Sequence, residues 1–142
     1  MIYALTVQCV SGAYLREECI RVIEIPENYT LAHLHDAIQD SVGFGKDHPY
    51  EFYAARTPRG KKTFFRDVED GCDQDLDYLG VLLSEVWPLT PRKLFYLFDF
   101  GDMWIFEVSK ARKLKEPEPG VEYPRVVETQ GPNPEQYPTF DC

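Results

Sequence analysis

Cysteine is scarce in this sequence and spaced against metal or redox use. Cys9, Cys19, Cys72 and Cys142 are the only four in 142 residues, separated by 10, 53 and 70 positions. Without a C-x-x-C pair, zinc-ribbon and thioredoxin-type sites are excluded on spacing. Cys9 and Cys19 stand in strand-like runs and read as small buried apolar residues, while the carboxylates around Cys72 disfavour a thiolate. All four are expected to be reduced, non-catalytic thiols of a cytoplasmic protein. Long apolar runs are missing too, since none approaches the roughly 18–20 residues of a membrane span. The N-terminus alternates through Met1-Ile2-Tyr3-Ala4-Leu5. It lacks the basic start and apolar block of a secretory signal, so no membrane partner is expected.

Positive charge is in deficit. Fifteen Lys and Arg face 24 Asp and Glu, for a net charge of −9. Such a field repels phosphate backbones and anionic lipids, which argues against bulk non-specific nucleic-acid binding. No G-x-S-x-G elbow, Walker loop or dinucleotide fingerprint occurs, and no cofactor is expected.

What is present is a core-forming composition: 44% apolar residues, of which the aromatics are 14% of the chain. A chain of this length buries roughly 70% of its extended surface, enough for one self-sufficient core. Tyr3, Leu5, Val7 and Cys9 alternate with smaller or polar residues, and residues 19–25 are rich in β-branched side chains up to Pro26. The two runs predict an antiparallel hairpin. Thr30 is a good N-cap for a helix whose apolar residues Leu31, Leu34, Ile38 and Val42 share one face before Gly43. Residues 50–55 and 63–65 predict strands about the turn Thr57-Pro58-Arg59-Gly60. Residues 67–77 hold six acids and no base, which predicts a solvated loop, and Leu79, Leu82, Leu83 and Val86 predict a short helix before Pro88. Residues 94–98 and 103–108 predict the last hairpin, turned at Asp99-Phe100-Gly101-Asp102. From Lys115 onward the chain carries six of its eleven prolines. Residues 1–114 are therefore read as a core domain. Residues 115–142 are read as an extended Pro-rich segment packing on it, with Tyr123, Tyr137 and Phe140 as anchors. The order of elements predicts an α+β fold: a mainly antiparallel sheet of β-grasp-like kind with one main helix and a short second one.

Three motifs carry a family resemblance: Leu34-His35-Asp36 on the helix, Asp47-His48-Pro49-Tyr50-Glu51-Phe52 after Gly43-Phe44, and Phe98-Asp99-Phe100-Gly101-Asp102-Met103-Trp104 in the last hairpin. In this order and spacing the sequence resembles the Ri-plasmid open-reading-frame-three-like family from about Cys19 to Glu135. It departs from the family pattern at Ile20-Arg21-Val22, where Trp-Arg-Arg is usual. Phe106 replaces a His, and Asn133-Pro134-Glu135-Gln136 replaces a P-P-E-D tail. The resemblance implies the α+β sheet and no particular reaction.

Several constellations bear on function. His35 and His48, with Asp99 or Asp102, are the candidate metal-ligating or acid/base set of a metal-dependent enzyme. His33 cannot join His35 on one ion, because two helical residues point roughly 200° apart. The competing reading has these histidines fixing the helix-to-strand connection and the aspartates organising the turn. Trp104, flanked by Phe98, Phe100 and Phe106, is a candidate ligand platform or a core residue. Arg56, Arg59, Lys61, Lys62 and Arg66 surround a turn beside Phe64 and Phe65. Together with the transposon-related labels attached to the family, they make a nucleic-acid-binding accessory of plasmid or transposon DNA transactions an alternative. With no complete catalytic set, the leading expectation is a non-enzymatic protein-interaction module that recruits another protein through an open strand edge.

Overall fold

The computed structural model describes residues 1–65 and 80–136. Strands β1 (Ile2–Ser11) and β2 (Ile20–Pro26) pair antiparallel, with Tyr3 opposite Ile25 and Val7 opposite Arg21. Helix α1 (Leu31–Val42) then crosses one face of the sheet. It is followed by β3 (Tyr50–Ala55), the two-residue β4 (Thr63–Phe64), β5 (Lys93–Phe98), β6 (Trp104–Lys110) and β7 (Arg125–Gln130). The strands form one sheet in the order β4-β3-β5-β6-β1-β2-β7.

The β-grasp expectation is corrected here. Every pairing in the seven-stranded sheet is antiparallel, whereas a grasp closes on a parallel central pair. The molecule is sheet-dominated, with a single α-helix among the described residues. The short second helix is also replaced. Val81, Leu83 and Val86 are the buried residues of that stretch, and only Leu83–Glu85 forms a single 3-10 turn. Its start is extended instead, because Leu31 N–H donates to Val81 O and Leu83 N–H to Tyr29 O. Those bonds strap the segment across the start of α1. Leu79 and the acidic run 67–77 lie outside the described residues.

Proline content hid β7. Arg125–Gln130 contains no proline, and it pairs with β2 from Glu24↔Arg125 to Ile20↔Gln130, leaving Val127 as the extra residue of a bulge. Lys115 and Ile2 exchange backbone hydrogen bonds (2.6 and 3.1 Å), and Tyr29 Oη donates to Tyr123 O (3.3 Å). Tyr137 and Phe140 lie outside the described residues.

Strand alternation sorts side chains onto two faces. Under α1 lie Leu5, Val7, Ile23, Phe52, Tyr96 and Phe106, packed with Leu34 and Ile38 of the helix. The opposite face carries a separate smaller cluster of Tyr53, Ala55, Phe95, Leu97 and Ile105. No helix among the described residues is long and apolar enough to cross a membrane.

Candidate functional site

The motif residues converge where the C-terminal half of α1 meets β3, β5 and the β5–β6 turn. His35 is buried, and its ring stacks on Tyr50 with centroids 3.7 Å apart and planes within 6°. Its Nδ1 lies 2.5 Å from Tyr96 Oη, which also accepts a hydrogen bond from Gln39 Nε2 at 3.0 Å. Tyr96 Oη is thereby held between the imidazole of His35 and the amide of Gln39. Gln39 is tied at its other end, since Lys46 N–H donates to its Oε1 (3.2 Å). His35 is thus one member of a buried network joining α1 to β5, because helix positions four apart (His35 and Gln39) reach the same hydroxyl.

His48 and the turn aspartates form a second, wetter cluster. His48 Nε2 is 3.4 Å from Asp99 Oδ2 and 3.8 Å from Asp47 Oδ1. Asp99 has a positive φ of 61°, and its Oδ1 accepts the N–H groups of Gly101 (3.1 Å) and Asp102 (3.3 Å). That is turn chemistry, with the second carboxylate oxygen left to face the imidazole. Asp102 enters through its backbone, its carbonyl accepting from Ala13 N–H at 2.9 Å. Gln136 closes this end by accepting from Gly45 N–H and donating to Asp47 Oδ1, both at 2.9 Å. His35 and His48 both border Phe98, with ring centroids 6.5 and 5.8 Å away. The structure brings His48 to Asp99 and directs His35 Nδ1 to Tyr96. Among the described residues, no three His, Cys, Asp or Glu side chains are grouped to hold one metal ion. His33 serves the helix start: Thr30 Oγ1 accepts from His33 N–H, and Thr30 N–H donates to His33 Nδ1.

Trp104 is fully buried in the core under α1, 5.1 Å from Phe44, rather than presented to a ligand. Its indole lies flat against Gly12, where an added Cβ would sit 2.2 Å from the ring. Its Nε1 has no hydrogen-bond partner among the described residues.

The basic cluster divides. Lys62 Nζ pairs with Glu51 (2.5 Å) and lies 4.5 Å above the Tyr53 ring. Burial, reinforced by Glu51, pushes the Tyr53 hydroxyl up to about 12. Arg59 reaches Ser11 Oγ at 3.4 Å. Arg56 and Lys61 are exposed and share a recess with Arg92. Arg66 lies outside the described residues. Cys9 is buried, which together with nearby Cys19 pushes its thiol up to about 12; burial raises Cys19 as well.

Two polar centres escaped the sequence reading. Arg21 is fully buried on β2 and donates four hydrogen bonds. Nε reaches Ser41 O (3.0 Å), Nη1 reaches Ile20 O (2.9 Å) and Gln130 O (3.1 Å), and Nη2 reaches Asn133 Oδ1 (2.7 Å). A guanidinium there also meets the negative end of the α1 dipole. Glu24, buried on the opposite face, accepts from Lys115 Nζ (2.9 Å) and Arg125 Nε (2.7 Å). Lys115, then Arg125, holds its carboxyl below the usual range against the opposing effect of burial. The only sequence signal for either was a charge at an inward or alternating strand position, with several of the partners 91 to 112 residues away.

Comparison with known proteins places this arrangement among similar chains. The family described as plasmid pRiA4b ORF-3-like protein matches residues 2–137. The uncharacterized protein y4hQ of Sinorhizobium fredii (strain NBRC 101917 / NGR234) is 32% identical over 113 residues, covering 79% of this chain and 55% of the relative. The chain thus spans about half the length of that curated relative. A crystal structure of MM3350, a protein of unknown function from Methanosarcina mazei Go1, is similar with a TM-score of 0.66 and 26% identity. It covers 93% of this chain and 70% of its own.

Proposed function

The chain belongs to the plasmid pRiA4b ORF-3-like family, and we propose that it is a non-enzymatic interaction module that takes an extended partner segment onto the β7 edge. One observation carries the reading. β7 is the last strand of the sheet, exposed along nearly its whole length, with Val126 and Val127 at 43% and 42% exposure. An open edge presents unpaired backbone donors and acceptors, and exposed β-branched residues select a strand of similar character. Arg125 is neutralised by Glu24 and Glu118, whereas Glu122 and Glu128 make no ion pair among the described residues. The fitting occupant is therefore a β-branched segment with basic residues, which also suits a net charge of −9. Residues 115–142 act in this reading as the docking segment of the 1–114 core, in a cytoplasmic setting.

The test selects binders from a displayed library of extended basic, β-branched peptides and follows backbone amide exchange. Binding is expected to protect β7 amides and to be lost in Val126→Lys/Val127→Lys. Binders that leave β7 exchange unchanged, or that survive the double substitution, would overturn the reading.

A nucleic-acid accessory role is the second reading, supported by the recess that Arg56 and Lys61 share with Arg92. Its test is a gel shift on duplex and single-stranded DNA at two salt concentrations. Phosphate contact predicts steep salt sensitivity and loss in Arg56→Ala/Lys61→Ala; no shift at low salt ends it. A metal-dependent enzyme using His35, His48, Asp99 and Asp102 has less support, because among the described residues no three His, Cys, Asp or Glu side chains are grouped for one ion.

A further inference from the structure

An open cleft lies away from the motif cluster, where the 87–90 loop meets the start of β5 and the end of β6. It encloses about 650 Å³, within the roughly 300–1,000 Å³ of small-molecule sites. Its apolar wall is aromatic. Tyr3 and Trp87 stand edge to face, with centroids 6.0 Å apart and planes at 85°. Tyr3 is buried in the core, so it backs the indole, and Trp87 is the ring left partly exposed to stack on a flat ligand.

Its polar wall is cationic in an otherwise acidic protein. Arg92, Lys93, Lys110 and Arg112 line the cleft against a single carboxylate, Glu107. Lys93 is matched by Glu107 at 2.9 Å. Arg92, Lys110 and Arg112 make no ion pair among the described residues. Arg92 instead donates to Thr63 Oγ1 (2.9 Å), and Lys110 Nζ lies 5.0 Å above the Tyr3 ring. Three cations beside a partly exposed indole call for a ligand that is both flat and strongly anionic. A chloride or free phosphate uses only the cations, and an uncharged aromatic uses only the indole.

We propose that this cleft binds a phosphorylated planar heteroaromatic of the nucleoside phosphate class, its ring against Trp87 and its phosphates on Arg92, Lys110 and Arg112. The site is independent of the β7 edge.

Tryptophan fluorescence of the full chain, with ATP, adenosine, pyrophosphate and a single-stranded oligonucleotide as probes, tests this. The chain has two tryptophans, and Trp104 is fully buried, so Trp87 is the reporter. ATP is expected to give a saturable change. Adenosine and pyrophosphate should each bind about tenfold or more weakly, since each satisfies one wall only. Arg92→Glu/Arg112→Glu, both exposed positions, should weaken ATP about tenfold or more while leaving adenosine and the thermal midpoint in place. Calorimetry with Trp87→Phe should retain part of the ATP affinity. No saturable ATP binding at millimolar concentration, ATP binding indifferent to the charge reversals, pyrophosphate as tight as ATP, or an oligonucleotide bound where ATP is not, would each overturn the proposal.

Discussion

The two faces of the sheet handle polar groups in opposite ways. Under α1, His35, Gln39 and Tyr96 share one hydroxyl, and Arg21, the single buried cation among the described residues, is spent on three carbonyls and an amide. The carboxylates of β2, β3 and β6 all lie on the other face, where each meets a base: Glu24 with Lys115 and Arg125, Glu51 with Lys62, Glu107 with Lys93. Desolvation explains the division. A face closed by a helix cannot solvate a carboxylate, so it accepts neutral donors and acceptors that satisfy one another. The face opposite leaves the ends of long basic side chains in reach of water, and ion pairs form there without the full penalty of burial.

Breaking Arg21 tests the first half of that contrast and carries the largest expected effect. Arg21→Met keeps the bulk but orphans Ser41 O, Gln130 O and Asn133 Oδ1, and it should cost about 3 kcal/mol or more in denaturant unfolding. A loss below about 1 kcal/mol would mean that water replaces the guanidinium, and the helix-covered face would not be closed.

Tyr96→Phe comes next. Removing one hydroxyl withdraws the partner that His35 Nδ1 and Gln39 Nε2 share, for about 1–3 kcal/mol. The neighbour on the other face, Phe95, offers the control: Phe95→Leu should cost a packing-limited amount, about 1 kcal/mol.

Glu24→Gln sharpens the second half. Its carboxyl is held below the ordinary range, so the unfolded chain binds the proton more readily. The stabilisation is then complete above the unfolded value and is lost as pH falls through the folded one. Acid titration of stability should fall more shallowly in Glu24→Gln than in the wild type, with the two curves parallel above neutrality. An unchanged acid limb would place the proton uptake elsewhere.

The smallest effect belongs to Lys93→Met. Its partner Glu107 is partly solvated and its own side chain is 58% exposed, so thermal unfolding should move by no more than about 0.5 kcal/mol. A larger loss would show that this face is drier than its ion pairs suggest.

Much of the scaffold was legible because it obeys local rules. Thr30 and Gly43 bound α1 as cap and left-handed terminator, with φ at Gly43 of 72°. The alternation in β1 and the apolar run of β5 pointed to a half-buried strand and to one covered on both faces. The 81–86 stretch was misread because Val81, Leu83 and Val86 satisfy a strand-then-turn spacing as well as the helical one. Hydrogen bonds to Tyr29 and Leu31 decide between them. The site was legible as residue types and no further. His48 and Asp99 do meet, while His35 turns to Tyr96, which lies 61 positions along the chain.

The sequence by itself determined α1, the strands β1 to β3, β5 and β6 with their turns, and that the chain is net acidic, since these depend on propensity, caps and charge within a few residues. Tertiary structure alone decided the rest. The order of strands put β7 on the edge and Arg21 beneath α1. It set Glu24 between Lys115 and Arg125, and drew Tyr3, Trp87, Arg92 and Lys110 around one cleft. Those groups are separated by tens of residues, and nothing local distinguishes a tyrosine that will wall a cleft from one that will fill a core. Only the balance of desolvation against pairing in the packed sheet makes that choice.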